Sequence, residues 1–211
     1  MIYIENVYIC LAAPLLIAIL CLKDRKKIHM VFLLSGMTAC IFSSYITTWM
    51  AVLVGAGHEY TVVEIAPFVE EVVKLSPILF YLLLVHPPKD RLTECVLMVS
   101  VGFATFENVC YLLNNGSEDL LSLLIRGFGT GAMHVVCGVI VSAGIIWLWD
   151  NPWLRFIGTV ALLSVAITYH GIFNILVSHP GASLVIGGII PVLTMCVVII
   201  EGTRRRPKDE K

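Results

Sequence analysis

Residues 154–177 read LRFIGTVALLSVAITYHGIFNILV, and this stretch decides the fold. Its 24 positions carry one charged residue, Arg155 at the rim, and one imidazole, His170, in the interior. A helix needs about 20 mostly apolar residues to cross a bilayer, so the segment is long enough to span. Working outward, six further apolar runs appear, at about 3–22, 28–54, 62–85, 92–113, 120–148 and 182–201. The breaks between runs are short, and each carries turn formers or charge, as in KDRKK, GAGHEYT, HPPKDR, NNGSED and SHPG. The whole chain agrees. Of 211 residues, 58% are hydrophobic and 14% charged, against about a quarter charged in a soluble domain, and mean hydropathy is +0.91. A soluble domain of this size has too much surface to hide that much apolar side chain. A secreted enzyme, a nucleic-acid binder and a disordered regulator are excluded. The expected partner is the lipid bilayer, with no nucleic acid. The expected fold is an all-α polytopic helix bundle of about seven transmembrane helices, with 1–211 forming one integral-membrane domain. The second and fifth runs exceed the required length and are expected to tilt.

Orientation follows from the basic residues, which favour the cytoplasmic side. Lys23, Arg25, Lys26 and Lys27 follow the first span, Lys89 and Arg91 the third, and Arg155 the fifth; Arg204, Arg205, Arg206, Lys208 and Lys211 follow the seventh. All twelve fall on one side, whereas one opposite loop holds Glu118 and Asp119. The N-terminus is therefore expected outside and the basic tail, 203–211, in the cytoplasm. A cleaved signal peptide is not expected, because the basic residues follow the first apolar run instead of preceding it. Cys10, Cys21, Cys40, Cys95, Cys110, Cys137 and Cys196 form no CxxC pair and read as small buried hydrophobes.

Two of the fourteen basic residues, Lys74 and Arg126, are left over, together with Glu70, Glu71 and Glu107, His134 and His170, inside spans. Ionisable groups in hydrocarbon are costly and mark function. At 1.5 Å per residue, Glu70 and Glu71 lie roughly 12–14 Å from the outer end of their span, Glu107 roughly 9 Å and His170 roughly 11 Å, with His134 deeper. Four helices thus deliver polar groups to one layer in the outer half. Glu70 and Lys74 stand at i,i+4 and Glu71 and Lys74 at i,i+3, both ion-pair spacings. Phe103, Glu107 and Tyr111 form one stripe, as do Arg126, Thr130 and His134, and His170 and Asn174 share a face. Gly127, Gly129 and Gly131 permit close helix approach. Pro67 suits either a first helical turn, which places both glutamates near the positive dipole end, or a kink.

Peptide hydrolysis within a membrane needs a base to activate water and donors for the oxyanion. Glu70, Glu71 or Glu107 can supply the base, and His134, His170 or Asn174 the donors. The same residue types can hold a divalent metal, zinc favoured, drawn from Glu71, Glu107, His134 and His170. Three carboxylates facing Lys74 alone leave a surplus of negative charge that a metal or a proton would relieve. No HExxH is present, and no GxSxG.

The segment EEVVK, Glu70 to Lys74, resembles the EExxK motif of the PrsW family of intramembrane proteases. FATFE, Phe103 to Glu107, with Asn108 and Tyr111 following, resembles its FxxxE motif; His134 and HGIFN, His170 to Asn174, resemble its later histidine motifs. Four motifs in order cover residues 67 to 174. The wider group, the CAAX prenyl endopeptidases and Abi proteins, has EExxxR and FxxxH, so Lys74 and Glu107 favour the PrsW branch. The resemblance implies a multi-pass protease of the bacterial plasma membrane with its catalytic core in 62–178. It also implies site-1 cleavage of a single-span anti-sigma factor. Implied catalytic residues are Glu70, Glu71, Glu107, His134, His170 and Asn174, supported by Lys74, Phe103, Asn108, Tyr111 and Arg126. Asn174 departs from relatives with an acid or histidine there; it is a weaker metal ligand and leans toward an oxyanion role. A metal-free glutamate and histidine mechanism stands as an equal alternative to zinc. Two other readings remain. One is a proton-coupled transporter or channel, in which the same groups form a relay, although no inverted repeat is present. The other is a non-catalytic membrane scaffold.

Overall fold

The computed structural model describes residues 3–115, 120–148 and 151–204. Glu118, Asp119 and the tail from Arg205 to Lys211 lie outside the described residues, as does most of the basic 203–211 segment. The described chain is helical throughout: α1 Ile4–Cys21, α2 Asp24–Val54, the single turn α3 His58–Tyr60, a π-turn Thr61–Ile65, α4 Ala66–Val85, α5 Lys89–Asn115, α6 Leu120–Leu148, α7 Pro152–Val177 and α8 Ala182–Arg204. Six of these are long and apolar enough to cross a membrane. The remaining long helix, α4, has 20 residues, and it carries Glu70, Glu71 and Lys74.

Local chemistry explains the boundaries. Gly55 closes α2 in the left-handed conformation at φ 65°, and Ala56 N–H reaches back to the Ala51 carbonyl, the Schellman arrangement that glycine permits. His86 ends α4 with φ 51°, and Pro87 and Pro88 follow it and stop the helix. Asn151 caps α7 through Oδ1, which accepts from the backbone N–H of Trp153 and Leu154. Pro77 inside α4 leaves the Val73 carbonyl without its i+4 donor; the Ser76 hydroxyl donates to it at 2.8 Å. Such repair is required where no water reaches the backbone. Pro67 occupies the first turn of α4, directly after the π-turn.

α2 and α5 run parallel and share the most extensive seam of the bundle. At one end Arg25 reaches Asp90 at 3.5 Å and Glu94 at 3.7 Å, and His29 Nε2 bonds Glu94 at 3.0 Å. The basic turns before α2 and before α5 therefore lie at the same end. At mid-height the backbones touch: a Cβ on Gly36 would collide with the Val99 carbonyl, and one on Gly102 with the Leu33 carbonyl. Gly36→Leu should therefore force the helices apart and cost about 1–3 kcal/mol or more. Thermal unfolding in detergent checks this, with Gly127→Ala, where a Cβ meets nothing within 4 Å, as the harmless control.

Half of the bundle is mostly apolar, although it also buries Ser142 and the hydroxyl of Tyr81. Ile78, Leu82, Leu92, Val96 and Ile145 fill the core toward the end reached by the Arg25 network. The other half holds the ionisable groups. The cysteines divide: Cys40, Cys95 and Cys137 are buried, as read from sequence, but Cys10, Cys21 and Cys196 sit on the outer surface. Their helices are long, and only one face of each packs inward.

Candidate active site

α4 delivers the core of the site. Neighbouring positions on a helix point about 100° apart, so adjacent glutamates cannot share an environment. Glu71 faces inward and is 3% exposed, whereas Glu70 lines a cleft. Lys74, one turn on, is equally buried; its Nζ donates to Glu71 Oε1 at 2.5 Å and to His134 Nδ1 at 2.8 Å. The pairing is thus the i,i+3 one. Lys74 also lies over the Phe103 ring, 5.1 Å from its centroid.

The two histidines stand in T-shaped contact, centroids 5.0 Å apart. Because an ammonium has only donors, His134 Nδ1 must accept from Lys74, which assigns the ring proton to Nε2. That N–H donates to Glu107 Oε2 in a close contact. His170 Nδ1 lies 2.9 Å from Glu71 Oε1. A carboxylate only accepts, so Nδ1 carries the proton and the Nε2 lone pair is left free. It faces Glu70 Oε2 at 3.7 Å, and that oxygen is buried with no hydrogen-bond partner. Two lone pairs face each other across a gap that calls for a proton donor or a cation.

The residues fit a divalent metal on this observation. Glu70, His134 and His170 offer one ligand atom each, all within 4.8 Å of one another, and Glu71 behind His170 is the carboxylate–histidine orientation that tunes such ligands. The trio takes Glu70 where the sequence reading drew on Glu71 or Glu107. The reason is geometric: Glu71 is spent on Lys74 and His170, and Glu107 on His134 and Arg126. His134 has both ring nitrogens engaged, so it joins a metal only by releasing Lys74 or Glu107.

Arg126 corrects the charge count made from sequence. Its Nη2 donates to Glu107 Oε1 at 3.1 Å, and its guanidinium stacks on Tyr111 at 4.1 Å. Two cations, not one, face the three carboxylates. The i,i+4 spacing of Arg126, Thr130 and His134 already held this signal, since one helix face meets Glu107 twice. Thr130 Oγ1 lies between them, fully buried and unpartnered, as is Asn108 Oδ1 beside Glu107.

Sequence reasoning missed the segment 58–65. The π-turn packs on α7: Asn174 Nδ2 donates to the Val62 carbonyl at 2.9 Å, and a Cβ on Gly171 would come within 3.0 Å of the Val63 carbonyl. Asn174 thus ties the segment down with one of its two amide hydrogens. Clefts open on both sides of the segment. One, of about 570 Å³, runs from Glu70 and Glu107 past Cys40 and Cys110 to Glu5, Tyr45 and Asn114. The other, of about 660 Å³, lies along Glu59, Val63, Arg126 and His179. Asn174→Ala should release the segment. Hydrogen exchange across 58–65 should accelerate while global stability falls by only the ~1 kcal/mol of one hydrogen bond.

A family model described as PrsW family intramembrane metalloprotease matches residues 24–201. The phospho-N-acetylmuramoyl-pentapeptide-transferases of Pelobacter propionicus and Citrifermentans bemidjiense are 27% and 28% identical to the chain over 107 residues, which is 50% of this chain and 30% of each transferase. The chain therefore spans less than a third of the length of those relatives. No solved structure matches the chain.

Proposed function

The chain belongs to the PrsW family of intramembrane metalloproteases, and from that premise we propose that it hydrolyses a peptide bond of a single-span membrane protein, with Glu70 as the base. The observation that carries this reading is the buried, unpartnered Glu70 Oε2 facing the free Nε2 of His170 at 3.7 Å. Water in that gap gives its proton to Glu70 and attacks the carbonyl carbon. Glu70 then returns the proton to the leaving amide nitrogen as the C–N bond breaks. Glu71 and Lys74 do no chemistry; they hold His170 and His134 in their tautomers. The oxyanion falls to donors not otherwise engaged, the second amide N–H of Asn174 and the Nε–H of Arg126, which has no partner.

A divalent cation held by His134, His170 and one carboxylate oxygen of Glu70 would polarise the carbonyl and make the water more acidic, leaving the other Glu70 oxygen to take the proton. Three mixed nitrogen and oxygen ligands with room for water favour zinc. Elemental analysis of purified protein should find about one equivalent, lost in Glu70→Gln.

On this reading the basic turns face the cytoplasm across a bacterial plasma membrane, which would put the site in the outer half and the cut near the outer surface. An anti-sigma factor with one span is the substrate class that the motifs favour, cleaved at its first site. A transporter would need polar groups continuing to the other face, whereas Ile78, Leu82, Leu92 and Ile145 dominate the inner-half core. The test is cleavage of a single-span substrate by protein reconstituted in liposomes. His170→Ala should lose it, and unchanged cleavage in that variant overturns the proposal.

A further inference from the structure

One wall of the Glu70 cleft is a stripe of hydroxyls. Ser43, Ser44, Thr47 and Thr48 on α2 all line the cavity of about 570 Å³ that holds Glu70 and Glu107. Positions 43 and 47 are one turn apart, as are 44 and 48, so the four share a face of a spanning helix. In hydrocarbon a helix hydroxyl is ordinarily satisfied by the carbonyls of its own preceding turn. Ser43 Oγ donates to the Cys40 carbonyl at 2.8 Å, and Thr48 Oγ1 donates to the Ser44 carbonyl at 2.9 Å. Thr47 differs. It is 9% exposed, and its Oγ1 is buried with no hydrogen-bond partner among the described residues. An orphan of this kind is costly, and an occupant of the cleft that brings its own acceptor removes the cost. A helical threonine divides between two side-chain rotamers, so rotation about one bond turns the hydroxyl from the wall toward the cavity.

We propose that Thr47 binds the substrate by donating its hydroxyl proton to a backbone carbonyl in an opened stretch of the substrate's span, and that the chain thereby selects spans whose helix is broken. The inference deepens the proteolytic reading of the cleft and rests on it. In an intact helix each carbonyl already accepts from the N–H four residues on, and side chains cover the carbonyl carbon. Attack by water at Glu70 therefore needs the turn around the scissile bond to open. Opening frees carbonyls where lipid offers no donor. Thr47 is such a donor, in the same cavity as the base. A proline in the substrate's span opens the turn in advance, because it leaves the carbonyl four residues before it without a donor. The pairing satisfies two orphans at once, one on each molecule.

The test is binding, read apart from cleavage. The full chain carrying Glu70→Gln is reconstituted in nanodiscs and titrated with two fluorescent single-span leucine–alanine peptides, one unbroken and one with a proline in its outer half. The broken peptide should bind more tightly. Adding Thr47→Val should weaken the broken peptide about 3- to 10-fold, the range of one hydrogen bond, and leave the unbroken one unchanged. Thr47→Ser, which keeps a hydroxyl, should recover the affinity. Thr47→Ala repeats the measurement if the valine variant does not fold. Undiminished binding of the broken peptide by Thr47→Val, equal loss on both peptides, no recovery with serine, or no preference for the broken peptide would each overturn the proposal. Failure of the hydrolytic reading shows separately, as wild-type protein that binds the broken peptide and yields no fragments.

Discussion

Glu70→Gln is expected to leave the protein folded and to cut proteolysis of a single-span substrate about 10²- to 10⁴-fold, the usual contribution of a general base, with the thermal midpoint of the metal-stripped protein unchanged. The substitution keeps shape and volume. It removes no hydrogen bond from Oε2, because that oxygen has none. It removes the negative charge and the lone pair that would take a proton from water. Glu71→Gln should behave differently although it is the next residue. Glu71 Oε1 receives both Lys74 Nζ at 2.5 Å and His170 Nδ1 at 2.9 Å. An amide there weakens the hold on both, so stability and activity fall together. Parallel loss of activity and of stability measured without metal in Glu70→Gln would remove it from the role of base.

The second large effect is on folding. Lys74→Met should cost about 3–5 kcal/mol, the penalty for breaking a buried pair from one side. Lys74 is 6% exposed and Glu71 3%. Without the ammonium, Glu71 keeps a buried charge with only His170 as partner, and His134 Nδ1 loses its donor. The double variant Glu71→Gln/Lys74→Met should recover part of the loss, since it buries no uncompensated charge. Unfolding in a graded detergent series reads both. A single variant as stable as wild type would mean that the Lys74 ammonium is not the counter-ion of the site.

Much of this was legible in the sequence. The apolar runs set a helical bundle because six of the helices are long and apolar enough to cross hydrocarbon. The layer of Glu70, Glu107, His134 and His170 was legible because depth along a helix is linear in residue number. What remained hidden is azimuthal and non-local. Nothing in EEVVK says which glutamate turns inward; that depends on where α7 brings His170. The role of Asn174 was open because its partner, the Val62 carbonyl, belongs to a π-turn in a segment that reads as loop and span edge. Arg126 was ambiguous because a long cation near a span end can reach either water or a buried carboxylate, and only the position of Glu107 on α5 decides. The parallel register of α2 and α5 was invisible, since it is set by the close approach at Gly36 and Gly102.

The central claim is that water, activated at Glu70, cuts a peptide bond in the outer half of the membrane. Reconstituted wild-type protein and Glu70→Gln are incubated with a single-span substrate in ¹⁸O-labelled water, and the fragments are read by mass spectrometry. The expected result is two fragments from the wild type only, cut in the outer half of the substrate's span, with ¹⁸O in the new carboxyl terminus. No fragments from the wild type, or the same fragments from Glu70→Gln, would contradict the account.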